Sequence, residues 1–133
     1  MFLVFDTETT GLPKRWDAPI SDHENWPRCI QIAWQLHDNF GTCTEHKDFI
    51  VAPDGFDIPY ESEQIHGIST ALASKRGNNI NSILADFNAA LAKSKYIIGH
   101  NVKFDVNIIG AELDRLGLDT SITTLPILDT CMV

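Results

Sequence analysis

Apolar residues fall in short runs over the first half of this chain and at helical spacing over much of the second. Met1-Phe2-Leu3-Val4-Phe5 is an unbroken apolar run that stops abruptly at Asp6. It predicts a short buried strand over residues 2–6. Arg28 to His37 carries Ile30, Ile32 or Ala33, Trp34 and Leu36, and predicts a second strand. Asn39-Phe40-Gly41 is a hairpin signal leading into a third, antiparallel strand from Glu45 to Val51, which Pro53-Asp54-Gly55 breaks. A short helix is predicted from Ser62 to Ile68. A longer one, from Ile80 to Lys93, carries Ile80, Ile83, Leu84, Phe87, Ala90 and Leu91 on one helical stripe. Tyr96 to Gly99 reads as another buried strand. Val102, Val106, Ile109, Leu113 and Leu116 then predict a helix over 102–116, closed by Gly117 as a C-terminal cap. Pro126 to Leu128 is a last short strand. Residues 13–27, PKRWDAPISDHENWP, are polar, aperiodic and hold three of the six prolines, so they read as a long loop.

The predicted order is β, β, β, α, α, β, α, β. A hairpin-rich first half followed by strand–helix–strand crossovers gives an α/β fold, a mixed five-stranded sheet with helices on both faces. Right-handed crossovers place the first strand centrally, beside Tyr96–Gly99. Ligands of such sheets sit beyond the carboxyl ends of the strands, which here are Asp6 and His100.

At 133 residues and 44% hydrophobic content the chain reads as one domain with enough apolar residues for a core. No stretch approaches the roughly 18 consecutive apolar residues of a membrane helix, and no secretory leader is legible. Cys29, Cys43 and Cys131 are odd in number and far apart, which reads as reduced packing thiols of a cytoplasmic protein. Ten basic against 18 acidic residues give a net charge of −8, which disfavours tight, non-specific duplex binding. A nucleic-acid partner survives that argument only if several acids hold divalent cations where a phosphate must sit.

The chemistry begins at Asp6-Thr7-Glu8. Strand alternation sends Asp6 and Glu8 to the same side, and two like charges so close are unfavourable without a cation. Hard oxygen ligands with no Cys or His beside them suit magnesium or manganese. A surface turn with Asp6 as a helix cap is the alternative, but Thr9-Thr10-Gly11-Leu12-Pro13 is a run of breakers with no helix to cap. His100-Asn101-Val102-Lys103-Phe104-Asp105 follows a strand and opens a helix, with Asn101 as N-cap. Asp105 falls on the edge of the sheet-facing stripe, aimed at the strand end that bears Asp6 and Glu8. Alternatively it only favours the helix N-terminus electrostatically.

Phe5-Asp6-Thr7-Glu8-Thr9-Thr10-Gly11-Leu12 resembles the first motif of the DEDD-type 3′–5′ exonucleases, the superfamily of the proofreading epsilon subunit of bacterial DNA polymerase III. Gly99-His100-Asn101-Val102-Lys103-Phe104-Asp105 resembles the second motif, and Ile65-His66-Gly67-Ile68 an intervening segment. The resemblance implies a ribonuclease-H-like sheet and two-metal phosphodiester hydrolysis, with two magnesium or manganese ions held by Asp6, Glu8 and Asp105 as the catalytic set. It also implies that Thr7, Thr9, Leu12, His66, Asn101 and Phe104 contact the substrate, Leu12 wedging against the terminal base. The implied partners are single-stranded DNA or RNA 3′ ends and a polymerase or other replication or repair subunit. Leu12 and Phe104 as core residues, and His66 as a packing residue, are the structural alternatives. Trp16 and Trp26 in the 13–27 loop either stack on unpaired bases or pack the loop onto the sheet, packing being the simpler reading. His23, His37 and His46 lack metal-ligand spacing and read as surface residues.

The family's fourth acid, preceded by a His or Tyr general base, has no counterpart after Asp105. His100 and Asp105 share the His-x-x-x-x-Asp spacing, but Asp105 already belongs to the second motif. Asp129 resembles a common Asp-Thr and is not one of the four ligands. Residues 1–133 are therefore expected to be an exonuclease domain cut before its third motif and last helices, weakly active alone. Two other function classes stay open: a catalytically silent nucleic-acid-binding or polymerase-docking module, and a phosphoryl-transfer enzyme with Asp6 as nucleophile. The latter is disfavoured by Glu8 and by the His100–Asp105 segment.

Overall fold

The computed structural model describes residues 1–130; Cys131 lies outside them. Five strands form one mixed sheet in the order β3-β2-β1-β4-β5. β1 (Phe2–Thr9) is central, antiparallel to β2 (Cys29–His37) and parallel to β4 (Tyr96–Gly99). β3 (Cys43–Ile50) closes one edge as the hairpin partner of β2, and β5 (Ile127–Asp129) closes the other, parallel to β4. The Asp38 carboxylate ties the hairpin turn by accepting from the backbone N–H of Phe40 (2.9 Å) and Thr42 (3.0 Å).

β1 continues to Thr9 instead of ending at Asp6. The polar residues stay in the strand because β2 keeps pairing with them: Asp6 opposite Ala33, Thr7 opposite Ile32, Glu8 opposite Gln31. β4 does not keep pace. Its pairing with β1 covers only Phe2, Leu3 and Val4. At Gly99 the chain turns so tightly that an added Cβ would lie 2.8 Å from the Val102 side chain.

Alternation along β1 puts Leu3, Phe5 and Thr7 on the buried face and Val4, Asp6 and Glu8 on the more open one. The buried face meets α3 (Ile80–Ala92) and α4 (Val102–Arg115); the α3 stripe is the one read from the spacing, whereas α4 ends before Leu116, which is exposed, and buries Ile108 and Ala111 besides Val102, Val106, Ile109 and Leu113. Phe87 sits at the centre, edge-on to Phe5 (5.2 Å between rings) and Trp34 (5.3 Å). α1 (Tyr60–His66) starts and ends two residues earlier than expected, and Gly67 takes a left-handed conformation (φ 74°) that caps it. α2 (Thr70–Arg76) was not expected; at seven residues it is too short to show a period, and Ser69 caps it through the Leu72 N–H (3.0 Å). The start of β2, the segments on either side of α1, and α2 share a satellite core of Ile30, Ile58, Ile68 and Ala73. Cys29 is buried as expected, and burial pushes its thiol well up, so it is inert. Cys43 is exposed, against its reading as a packing residue.

The 13–27 segment is a loop, fixed from within. Trp26 is buried and donates to the Pro19 carbonyl (2.9 Å). Glu112 of α4, 2% exposed, takes Arg28 Nε at 2.7 Å and also Arg115, whose Nη2 donates to the Trp26 carbonyl (2.8 Å). Both charges on Glu112's partners match its own burial, which an unpaired carboxylate could not survive.

The start of α4 departs from expectation. Asn101 adopts a left-handed backbone (φ 52°), outside the extended region an N-cap uses, and its side chain caps nothing. Asp129, at the end of β5, caps instead, taking the Asn101 N–H (2.8 Å) and the Val102 N–H (3.2 Å). Asp129→Ala is therefore expected to cost about 1–2 kcal/mol in urea unfolding. Asn101→Gly, which suits the left-handed backbone, is expected to shift stability by less than about 0.5 kcal/mol. Equal losses from the two would reassign the cap.

Candidate active site

Thr7 and Asp105 join the two halves of the site. Because β4 ends at Gly99, the edge of β1 beyond Val4 has no strand beside it. Asp105, in the first turns of α4, occupies that place. Its Oδ1 accepts from the Thr7 backbone N–H (3.3 Å) and, at short range, from the Thr7 hydroxyl. The carboxyl is 4% exposed. Burial pushes it up to about 7, the Thr7 hydroxyl opposes that rise, and the charges of Asp6 and Glu8 add to it. The side chains that shift it, Thr7, Asp6 and Glu8, include no basic residue.

The three predicted carboxylates thus share one electrostatic field, but they are not drawn into a ligand shell. Among the described residues no three His, Cys, Asp or Glu side chains stand close enough to hold an ion. Asp6 is exposed and Glu8 half-buried on the open face, whereas Asp105 reaches Thr7 from the helix side. The donor set still fits a hard divalent cation: all oxygen, acidic, and uncompensated by any Lys or Arg around Asp105.

Two cavities flank this stretch of β1. A pocket of about 460 Å3 opens beside Asp6, with Val4, Gln35, His46 and His100 on its wall. A smaller one, about 250 Å3, brings together Thr7, Glu8, Thr9, Leu12, His66 and Phe104, with Ser62 and Ile65. Six of the predicted site residues therefore meet at one pocket. Asp6, Asn101 and Asp105 are not on its wall, and Asn101 is exposed.

Glu8 is the one acidic residue on the wall of the small pocket, which also carries the apolar Leu12, Ile65 and Phe104. Leu12 is 74% exposed and Ile65 83%, so Leu12 is not a core residue. Large apolar side chains held open to water at a pocket rim point to a ligand surface. Ile65 was missed as a site residue; the only signal in the sequence was a large aliphatic on the polar side of a short helix. Ser62, also missed, is buried and donates to the Thr10 carbonyl (2.6 Å), fixing α1 against the turn after β1. His66 Nδ1 accepts from the Ile68 N–H (3.1 Å), which puts the imidazole proton on Nε2; that atom is buried without a hydrogen-bond partner. His23 pairs with Asp114 at 2.7 Å, and His37 bonds Gln35 at 2.8 Å, so both are structural surface residues.

Residues 3–133 match the model of a protein family described as exonuclease, RNase T type. The chain belongs to the exonuclease (RNase T) family. It is 32% identical over 114 residues to the DNA polymerase III subunit epsilon of Rickettsia prowazekii, covering 86% of this chain and 44% of that protein. It is 31% identical over 117 residues to the 3′–5′ exonuclease DinG of Bacillus subtilis, covering 87% of this chain and 11% of that one. In fold it is similar to Escherichia coli exonuclease I in a zinc-bound complex with single-stranded DNA, with a TM-score of 0.77 at 23% identity, covering 96% of this chain and 27% of that one. The chain thus spans less than half the length of these relatives. The ribonuclease-H-like exonuclease sheet expected from the motifs is the observed fold.

The candidate site hangs on Thr7, which the sequence marked only as a substrate contact. Thr7→Val keeps the shape and removes the hydroxyl. In EDTA it is expected to lose about 1–3 kcal/mol of stability, as for a buried polar group stripped of its partner, while Thr7→Ser loses less. An unchanged urea midpoint for Thr7→Val would detach Asp105 from this role.

Proposed function

We propose that this chain is the metal-binding and nucleotide-binding part of a 3′–5′ exonuclease that releases mononucleotides from single-stranded ends, DNA being the substrate class. The observation that carries the reading is the small pocket. It sets Glu8 and Thr7, the partner of Asp105, beside an apolar slot a little under the usual range of ligand-pocket sizes. Such a slot suits one nucleobase, and Glu8 on its wall marks the side on which the adjoining phosphate would lie. Named relatives with polymerase epsilon and 3′–5′ exonuclease functions support the polarity and the substrate.

In this reading Asp6, Glu8 and Asp105 would hold two magnesium or manganese ions, with Thr7 keeping Asp105 in place. Divalent ions so bound supply Lewis-acid chemistry at the phosphate. Leu12 and Ile65 close over the terminal base, Phe104 forms its floor, and the unsatisfied Nε2–H of His66 donates to the nucleotide. Thr9 shapes the turn that presents Leu12: its hydroxyl donates to the Gly11 carbonyl (2.8 Å). Asn101 stands exposed at the mouth of α4. Residues 106–133 contain no His or Tyr to take the water's proton. A general base contributes about 10²–10⁴-fold, so these 133 residues by themselves are expected to turn over slowly. A polymerase or another replication or repair subunit is the protein partner in keeping with the epsilon likeness, in the cytoplasm. Among the described residues no helix is long and apolar enough to cross a membrane.

Manganese is expected to raise the melting temperature, because binding to the folded state alone stabilises it by about 2.7 kcal/mol at a hundredfold excess over Kd. Asp6→Asn is expected to lose most of that response; a full response in the variant removes Asp6 from the site.

Oligonucleotides labelled at the 3′ or the 5′ end, digested in parallel in manganese, test the activity. Early release of label as mononucleotide from the 3′-labelled strand, with a descending ladder from the 5′-labelled one, is expected. Ladders beginning at the 5′ end would overturn the polarity. Metal-dependent binding with no cleavage at any enzyme concentration would favour the silent binding module.

A further inference from the structure

Of the three tryptophans, Trp26 and Trp34 are 3% and 1% exposed, while Trp16 is 54% exposed. The packing role expected for the loop tryptophans is filled by Trp26 alone. Trp16 lies against Phe104, their ring centroids 5.4 Å apart and their planes tilted by 50°. Phe104 is a wall of the small pocket, and Trp16 is not among its lining residues. The indole therefore stands one ring beyond the pocket, with much of its surface in water.

Its position is fixed. Asn25, itself buried, accepts from the Arg15 N–H (2.7 Å), donates to the Arg15 carbonyl (2.9 Å) and takes the Lys14 N–H on its own carbonyl (3.4 Å). The residues just before Trp16 are thus pinned to the far side of the loop, and Phe104 holds the indole itself. A large aromatic ring held in place and more than half exposed forfeits the stabilisation that burial would bring. Lys14 and Arg15 precede Trp16 in the chain, Asp17 follows it, and Lys103 precedes Phe104, all of them exposed; the three cations are among ten in a protein of net charge −8. A rigid aromatic face with cations beside it is the arrangement that holds single-stranded nucleic acid: bases stack on the ring, and the backbone runs past the charges.

We infer that Trp16 is the stacking platform for the second base of the bound strand, next to the one in the small pocket, with Lys14, Arg15 and Lys103 along the adjoining phosphates. This rests on the reading of the small pocket as the terminal-nucleotide site. It makes Trp16 a positioning residue that sets the minimum length of strand bound well.

The test uses thymidine 5′-monophosphate and phosphorothioate-linked oligothymidylates of two to four residues, titrated in manganese. Trp16 supplies the water-accessible tryptophan fluorescence among the described residues, so stacking should quench it. The monophosphate should bind without that quench. The dinucleotide should bind about tenfold more tightly, with quenching, as expected for one base on an aromatic ring. Trp16→Ala should abolish the gain from one nucleotide to two and leave the monophosphate affinity unchanged; Trp16→Phe should keep most of the gain. A dinucleotide with an abasic penultimate site should bind wild-type protein like the monophosphate. The inference is overturned if Trp16→Ala keeps the length-dependent gain, if the abasic strand binds as well as the intact one, or if the monophosphate already quenches. Failure of wild-type protein to bind any of these ligands would sink the pocket reading and the inference together, whereas an unaltered gain in Trp16→Ala sinks the inference alone.

Discussion

The contact between Thr7 and Asp105 organises this molecule around its site. A strand in the middle of a sheet needs partners on both edges, since each unpaired buried N–H costs about as much as a lost hydrogen bond. β4 is too short to flank the part of β1 that bears the carboxylates. Asp105 completes that edge from a helix, with one oxygen serving both the backbone and the hydroxyl of Thr7. The same contact buries a carboxyl within the field of Asp6 and Glu8, which is why burial and those charges push it up to about 7. Strand geometry and site electrostatics therefore come from one pair of residues. On the proposed reading, divalent cations supply the positive charge that this arrangement lacks.

α4 must be placed accurately for Asp105 to do this, and it is anchored at both ends by side chains remote in sequence. Asp129 of β5 takes the first two N–H groups at its start. Near its end Glu112 is clasped by Arg28 from the start of β2 and by Arg115, which also reaches the Trp26 carbonyl. Between these anchors the apolar stripe of α4 lies on Leu3, Phe5 and Ile32. The 13–27 loop, which has no regular structure, is consequently part of the frame. It braces α4 on one side and carries Trp16 against Phe104 on the other. A loop this well tied can present residues for binding as reliably as a strand does.

Much of the architecture was legible because it rests on local periodicity. The stripe of α3 and the alternation of β2 each bury one face against one core, so their spacing survived folding intact, while α4 is buried almost all round over residues 108–113 and loses Leu116 to the surface. Signals failed where the deciding partner was distant or the segment short. β1 was read as ending at Asp6 because polarity sets in there, but pairing with β2 carries it to Thr9. α2 is too brief for a period, and its helix depends on the Ser69 cap and on Ala73 filling the satellite core. Leu12 could have been core or rim from its type alone; only its exposure decides.

The sequence by itself determined which residues could carry chemistry: acids at an alternating spacing on a strand, a third acid on a sheet-facing helix edge, and motifs that mark the exonuclease family. These depend on residue type and short spacing, which the chain fixes before it folds. Tertiary structure alone decided how those residues divide the work. It gave Asp105 to Thr7, gave the cap of α4 to Asp129 instead of Asn101, and separated the Asp6 cavity from the pocket of Glu8, Leu12, His66 and Phe104. It also buried Trp26 and left Trp16 in water. Each of these outcomes turns on hydrogen bonds and packing between residues from about ten to nearly a hundred positions apart, and such distances are set only when the sheet, its helices and the loop close on one another.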